Sequence, residues 1–313
     1  MPFTAKSGKF NASINTVEFG TGDKAVKIGG ENVFPLYSFD AAIENAPKVG
    51  IEITDFGMEH EPECIKKYYE GCATLADMAR KAASMEGVDF LSFRMEGGDP
   101  NGANKSTEEL IGELKEIADA VDLPLVVCGC KNVEKDAELF SKAAEALNGK
   151  NAVILSAKEE NYKTVGAAAG LAYKQIVGAE SAVDINLAKQ LNVLISQLGV
   201  DSKSVVMNVG SAAVGYGFEY VISTMDRVKA AALGQADAQL QMPIITPVAS
   251  EAWGVKEAMA SETDAPEWGS QEERGIDMEV ETAMAVIAAG SNAVILKHPE
   301  SIKIISGLMK ELV

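Results

Sequence analysis

The residues best equipped for chemistry in this chain are polar side chains threaded into otherwise apolar runs. One run reads Val49-Gly50-Ile51-Glu52-Ile53-Thr54-Asp55-Phe56, and another reads Phe90-Leu91-Ser92-Phe93-Arg94-Met95-Glu96. Side chains alternate between the two faces of a strand, so Glu52 and Thr54 share one face while Ile51 and Ile53 share the other. Ser92, Arg94 and Glu96 oppose Leu91, Phe93 and Met95 in the same way. Asp184 and Asn186 against Val183 and Ile185, and Asn208 against Met207 and Val209, repeat the pattern. Arg94 shares its parity with Glu52 and Glu96, so it is open to two uses: a buried carboxylate–guanidinium network or contact with a ligand. Asp184, deeper in its run than Asn186, is expected to be an internal hydrogen-bond anchor. Asn208-Val209-Gly210-Ser211 leads into a stretch of small residues reaching Gly217. Backbone N–H groups of such a turn can face an anion, although a tight turn explains the glycines equally well, and phosphate-loop and dinucleotide fingerprints are absent.

Other reactive side chains are less well arranged. Cys64, Cys72, Cys128 and Cys130 match in number the ligands of an Fe4S4 cluster, but no Cys-x-x-Cys pair exists. Cys128 and Cys130 are expected to point the same way at a strand end, as reduced and mostly buried thiols. His60 lies in an acidic loop, and His298 precedes Pro299, ambiguous between core and mouth. Neither has the Asp-x-His-x-x-Gly context that supplies cobalt ligands in many cobalamin proteins. Among lysines near strand ends, Lys131, Lys158 and Lys297, the parity of Lys297 with Ile295 is read as outward, which disfavours Schiff-base chemistry. No catalytic motif and no metal site can be assigned.

The elements that must position these groups alternate regularly. After an apparent hairpin (Thr16-Val17-Glu18-Phe19 and Ala25-Val26-Lys27-Ile28 around Gly20–Lys24), strands are predicted over 48–56, 89–96, 123–130, 151–157, 181–186, 204–210, 243–248 and 292–298. Each is followed by a helical pattern, namely 65–85, 107–121, 134–147, 161–177, 187–199, 217–233, helices within 250–290, and 300–312. Eight βα units with one polar strand face predict a (β/α)8 TIM barrel, with the hairpin extension of residues 1–46 plugging or flanking one end and residues 47–313 forming the barrel. An open doubly wound sheet fits the polar faces less well, because both of its faces are normally dry. Function in such barrels gathers at the strand C-termini, here Asp55, Arg94, Glu96, Asn186, Asn208 and the loops that follow.

At 313 residues, 47% hydrophobic, the chain suits one large domain. No apolar stretch approaches the roughly 20 residues that span a bilayer, and Met1–Gly8 lacks a secretory core, so a cytoplasmic protein is expected. The net charge of −18 is spread along the chain and argues against nucleic acid and anionic membranes as partners.

Larger segments carry a specific resemblance. They are Ser250-Glu251-Ala252-Trp253-Gly254-Val255-Lys256-Glu257, Glu267-Trp268-Gly269-Ser270-Gln271-Glu272-Glu273-Arg274-Gly275-Ile276, Glu281-Thr282-Ala283 and His298-Pro299-Glu300. To these are added Val183 to Asn192 and the hairpin leading into Phe34-Pro35-Leu36-Tyr37. As a set they resemble the small subunit of the corrinoid/iron–sulfur protein of the reductive acetyl-CoA pathway, equivalently the delta subunit of acetyl-CoA decarbonylase/synthase. The resemblance implies a barrel related to pterin-dependent methyltransferases, paired as a heterodimer with a large subunit that carries the Fe4S4 cluster. Cobalamin would be shared at the interface, and a pterin methyltransferase and acetyl-CoA synthase would be transient partners. It implies a non-catalytic role, covering the corrinoid during methyl transfer from methyltetrahydrofolate. Residues expected at the cofactor are Asn186, Asn208, Gly210, Ser211 and Trp253, with Trp253 either an interface anchor or a packing residue. The alternative is a pterin-dependent methyltransferase acting on a corrinoid protein, binding the pterin through Asp184, Asn186 and Asn208.

Overall fold

The computed structural model of the protein describes residues 8–313; all but Gly8 of the leading segment read above for a secretory core lies outside them. A hairpin, β1 (Val17–Phe19) and β2 (Val26–Ile28), precedes eight parallel strands: β3 (Lys48–Thr54), β4 (Phe90–Arg94), β5 (Leu125–Cys128), β6 (Val153–Ala157), β7 (Ile176–Glu180), β8 (Val205–Asn208), β9 (Ile244–Pro247) and β10 (Ser291–Leu296). The eight pair in sequence order and β10 closes on β3, so the sheet is a barrel without edges.

Helices cover its outside: α1 (Glu63–Lys66), α2 (Leu75–Ala83), α3 (Thr107–Ala120), α4 (Val133–Ala146), α5 (Tyr162–Val165), α6 (Ile185–Gln197), α7 (Phe218–Lys229), α8 (Ala249–Ala252), α9 (Lys256–Met259), α10 (Gln271–Ala289) and α11 (Pro299–Leu312). Apart from α7, which starts at Gly217 without a side-chain cap, the longer ones start where a side chain accepts an orphan backbone N–H. Thr74, Ser106, Asn132, Asp184, Ser270 and His298 cap α2, α3, α4, α6, α10 and α11.

The alternating pattern divides the apolar residues between two cores. Ile51, Ile53, Leu91, Phe93, Val127, Ile154, Met207 and Leu296 face the helix layer and pack on residues such as Leu114, Leu139 and Leu191. Phe90, Val126, Val153, Ile176, Val206, Ile245 and Ala293 face inward, where Val17, Phe19, Val26 and Ile28 of the hairpin join them. The hairpin therefore plugs the N-terminal end, with Phe19 edge-on to Phe90 at 5.5 Å. A fully buried Lys229 on α7 fastens the rest of the extension, bonding Glu31 at 2.9 Å and Asn292 at 2.9 Å.

The fifth barrel strand is the one misplaced by the pattern. It runs Ile176–Glu180, not 181–186, and the predicted helix over 161–177 ends at Ala172 in a π-helical turn. Gly178 occupies the strand interior because a Cβ there would lie 2.6 Å from the Leu155 side chain. The Val183–Asn186 alternation that mimicked a strand is a loop and a helix start. Ala182 and Val183 have positive φ, and Asp184 accepts from the N–H groups of Asn186 and Leu187. Among the described residues no helix is long and apolar enough to cross a membrane.

Candidate functional site at the barrel mouth

At the C-terminal end, register brings Glu52 beside Ser92, Thr54 beside Arg94, and Arg94 beside Cys128. Arg94 donates from Nε to Glu52 Oε2 at 3.0 Å, with Nη2 2.8 Å from the same oxygen, and both residues are buried. Burial opposes the guanidinium charge, yet the Glu52 carboxylate outweighs it and raises the Arg94 pKa. Glu52 Oε1 has no hydrogen-bond partner in the chain. Glu96 is exposed in the turn Glu96–Gly98, so the expected three-membered network is a pair. Nearby, Asp55 accepts twice from the Gly97 N–H, at 2.9 and 3.1 Å, and meets Lys105 at 3.0 Å. Lys297 reaches Glu61 at 2.7 Å. The outward reading of Lys297 is thereby corrected: Ala293 and Ile295 face the barrel interior, and Lys297 continues their parity into the mouth.

The arc from β5 to β9 is open. A cavity of about 290 Å³ lies there, bounded by Arg94, Cys128, Ser156, Glu180, Asn208 and Ser211. Asn208 donates to Ser156 Oγ at 3.1 Å and lies 3.5 Å from Glu180, while its Oδ1 accepts the Gly210 N–H at 3.1 Å. Gly210 has φ +99°, and a Cβ there would meet Val183 at 3.0 Å, so the turn needs glycine. Ser211 Oγ is buried without a partner. Lys158 pairs with Glu180 at 3.2 Å, and Lys131 with Glu251 at 3.1 Å on the outer rim.

The expected site residues separate. Asn208, Gly210 and Ser211 line the cavity. Asn186 is exposed in the first turn of α6 and does not line it, and Asp184 is the exposed cap of that helix rather than an internal anchor. Both departures follow from the misplaced strand. Trp253 is buried behind the mouth, stacked on His298 at 5.8 Å. His298 is fully buried; its Nδ1 accepts the Glu300 N–H at 3.1 Å, and burial lowers its pKa to about 4. Cys128 and Cys130 do not point the same way. Cys128 lines the cavity 3.6 Å from Ser92, whereas Cys130 contacts Asp136 at 3.2 Å in the helix-side core. Burial pushes their thiols up to about 11 and about 12. Among the described residues no His, Cys, Asp and Glu group could hold a metal ion.

Sequence reasoning missed Glu180 and Ser156. Glu180 ends the apolar run Ile176-Val177-Gly178-Ala179, a signal hidden once Ile176 and Val177 had been assigned to the end of a helix and the next strand placed at 181–186. Ser156 escapes alternation because pairing with β7 slips between Ile154 and Ala157, and a register shift defeats a period-two rule.

The overall barrel shape is shared with solved structures of dihydropteroate synthases. Dihydropteroate synthase of Thermus thermophilus, in complex with 4-aminobenzoate, superposes with a TM-score of 0.55 at 13% identity, covering 95% of this chain and 100% of that one. The Xanthomonas albilineans enzyme with 4-aminobenzoic acid gives 0.55 at 11%, covering 95% and 98%. At such identities the likeness shows the fold alone: a (β/α)8 barrel. Residues 16–309 match the family described as CO dehydrogenase/acetyl-CoA synthase delta subunit, and the chain belongs to that family. Acetyl-CoA decarbonylase/synthase complex subunit delta of Methanopyrus kandleri is 32% identical over 293 residues, covering 93% of this chain and 71% of that protein. The Methanothermobacter thermautotrophicus subunit is 31% identical, covering 95% and 75%. Subunit delta 1 of Methanosarcina thermophila is 29% identical, covering 94% and 67%.

Proposed function

We propose that the chain is the small, non-catalytic subunit of a corrinoid/iron–sulfur methyl carrier, working in the cytoplasm and paired with a large subunit that holds the Fe4S4 cluster and most of the cobalamin site. The observation that carries this reading is the uncharged turn at the mouth, where Asn208, Gly210 and Ser211 present hydrogen-bonding groups and bare backbone, with the Ser211 hydroxyl left unpartnered. A cavity of about 290 Å³ has room for a small ring but not for cobalamin, so the macrocycle would lie across the rim and meet this turn. When bound, the cobalt supplies the nucleophile that takes up and passes on a methyl group. The chain's own part is to exclude water and to hydrogen-bond the corrin side-chain amides through Ser211 and Asn208. Its charged mouth residues pair with each other rather than standing ready as proton donors, in keeping with a covering role.

The second reading, a pterin-dependent methyltransferase, is favoured by one feature. The cavity is sized for a bicyclic heterocycle and edged by Asn208, Glu180 and Asp136, donors and acceptors of the kind such a ring needs. Asp184 and Asn186, named for this role from the sequence, lie away from it. Mixing the isolated chain with methyltetrahydrofolate and cob(I)alamin tests both. The carrier reading predicts no methyl transfer, and a colourless chain with neither iron nor cobalt in stoichiometric amount; turnover by the chain alone would install the second reading.

A further inference from the structure

With Trp253 buried, the mouth needs another anchor for a partner, and the exposed apolar residues supply one. Of the eight large hydrophobic side chains exposed among the described residues, four (Tyr216, Tyr220, Met259 and Trp268) lie on the two connections that follow β8 and β9. Tyr216 is 51% and Tyr220 66% exposed. The two connections are tied together: the Tyr216 hydroxyl donates to Glu257 at 2.6 Å, and Lys256, next in α9, lies 5.2 Å over the Trp268 ring. The chain leads directly from Gly210 and Ser211 of the cavity into this segment, and an open groove lined by Gly215, Phe218 and Ile222 lies along another face of α7.

Tyr, Trp and Met concentrated on one exposed surface are what partner-facing patches are made of, since they offer large apolar area at little entropic cost. The surrounding charge is mainly acidic, with Glu219 and Asp226 on α7 and Glu257, Glu262, Asp264 and Glu267 on the second connection, against Arg227, Lys256 and Arg274, the last 5.7 Å from the Trp268 ring. We infer that this aromatic ridge is the protein–protein contact beside the mouth, and that its occupant is the corrinoid-bearing subunit, presenting Lys or Arg side chains over the faces of Tyr216 and Tyr220. Cation–π contact and the acidic border both favour a basic surface there. The inference rests on the carrier reading and assigns the anchoring to these residues.

The test is titration of the purified corrinoid-bearing subunit into the wild-type chain and into Y216A/Y220A, E219K and, as a control from the other exposed aromatic group, Y37A/F39A. All the substituted side chains are at the surface, and melting curves confirm folding. The double tyrosine variant is expected to bind at least about tenfold more weakly. E219K should slow association and flatten its salt dependence, and the control should bind as the wild type does. Binding of Y216A/Y220A within twofold of wild type, with wild-type affinity measurable, overturns the anchor and leaves the carrier reading standing. Absence of any complex with the wild-type chain overturns the carrier reading and the anchor with it.

Discussion

The two arcs of the barrel mouth are built from the same residue types and do opposite things. From β10 through β4, Glu52–Arg94, Asp55–Lys105 and Glu61–Lys297 are close ion pairs, largely shielded from solvent. From β5 to β9, Lys158–Glu180 and Lys131–Glu251 are wetter, Asn208 leans on Ser156, and a cavity opens with the Ser211 hydroxyl unpartnered. Taking charges from water is costly unless they are paired, so the closed arc commits its charges to one another and, among these carboxylates, leaves only Glu52 Oε1, at the seam, buried without a hydrogen-bond partner. The open arc retains unused hydrogen-bonding capacity, which is what a ligand or partner can exploit. Charge alone therefore does not mark the working half of a polar mouth.

Substitutions can break this contrast at different strengths. Arg94 stands at the seam, so Arg94→Leu should cost on the order of 3–5 kcal/mol by stranding Glu52, read by chemical denaturation. An unchanged melting temperature with loss of corrinoid retention in the complex would move Arg94 into the open arc. Next comes acid sensitivity behind the closed arc. The folded His298 pKa of about 4 lies below its ordinary 6.5, so between those values the unfolded chain binds the extra proton and stability falls as pH falls. Glu279, whose pKa burial raises, works in the opposite direction, so the difference between wild type and His298→Asn removes its contribution and reports the histidine together with Glu272, 3.4 Å from its Nε2. That variant can keep the cap on Glu300 and should lose roughly 2 kcal/mol of the wild-type pH dependence between pH 7 and pH 4. Asn208→Ala in the open arc should cost only about 1 kcal/mol of stability, yet weaken corrinoid retention in the complex. Lys131→Ala on the outer rim should change stability by less than about 1 kcal/mol, since an exposed pair contributes little.

Much of this was legible in the sequence, for identifiable reasons. The inward parity of Glu52, Thr54, Ser92, Arg94 and Asn208 follows from period-two alternation, and eight βα repeats define the closed barrel. The turn Asn208–Ser211 could be placed because it follows a strand read correctly. What alternation could not supply was anything beyond a strand's irregular end. Cys130 departs from the parity of Cys128 once β5 stops, and Ser156 turns inward where the register slips. The β7 error had a different source. Interior Gly178 weakened the strand signal, while the N-cap at Asp184 produced a false alternation that carried Asn186 with it. Trp253 illustrates the last gap: an aromatic near a mouth can stack behind it as readily as face a partner, and only the neighbouring His298 decides.

Hydrogen exchange on the chain with and without the corrinoid-bearing subunit tests most directly the claim that the open arc is the working surface. The account predicts new protection over residues 208–220, with the hairpin at 17–28 unchanged. Protection confined to the hairpin end, with 208–220 exchanging as in the free chain, would contradict it.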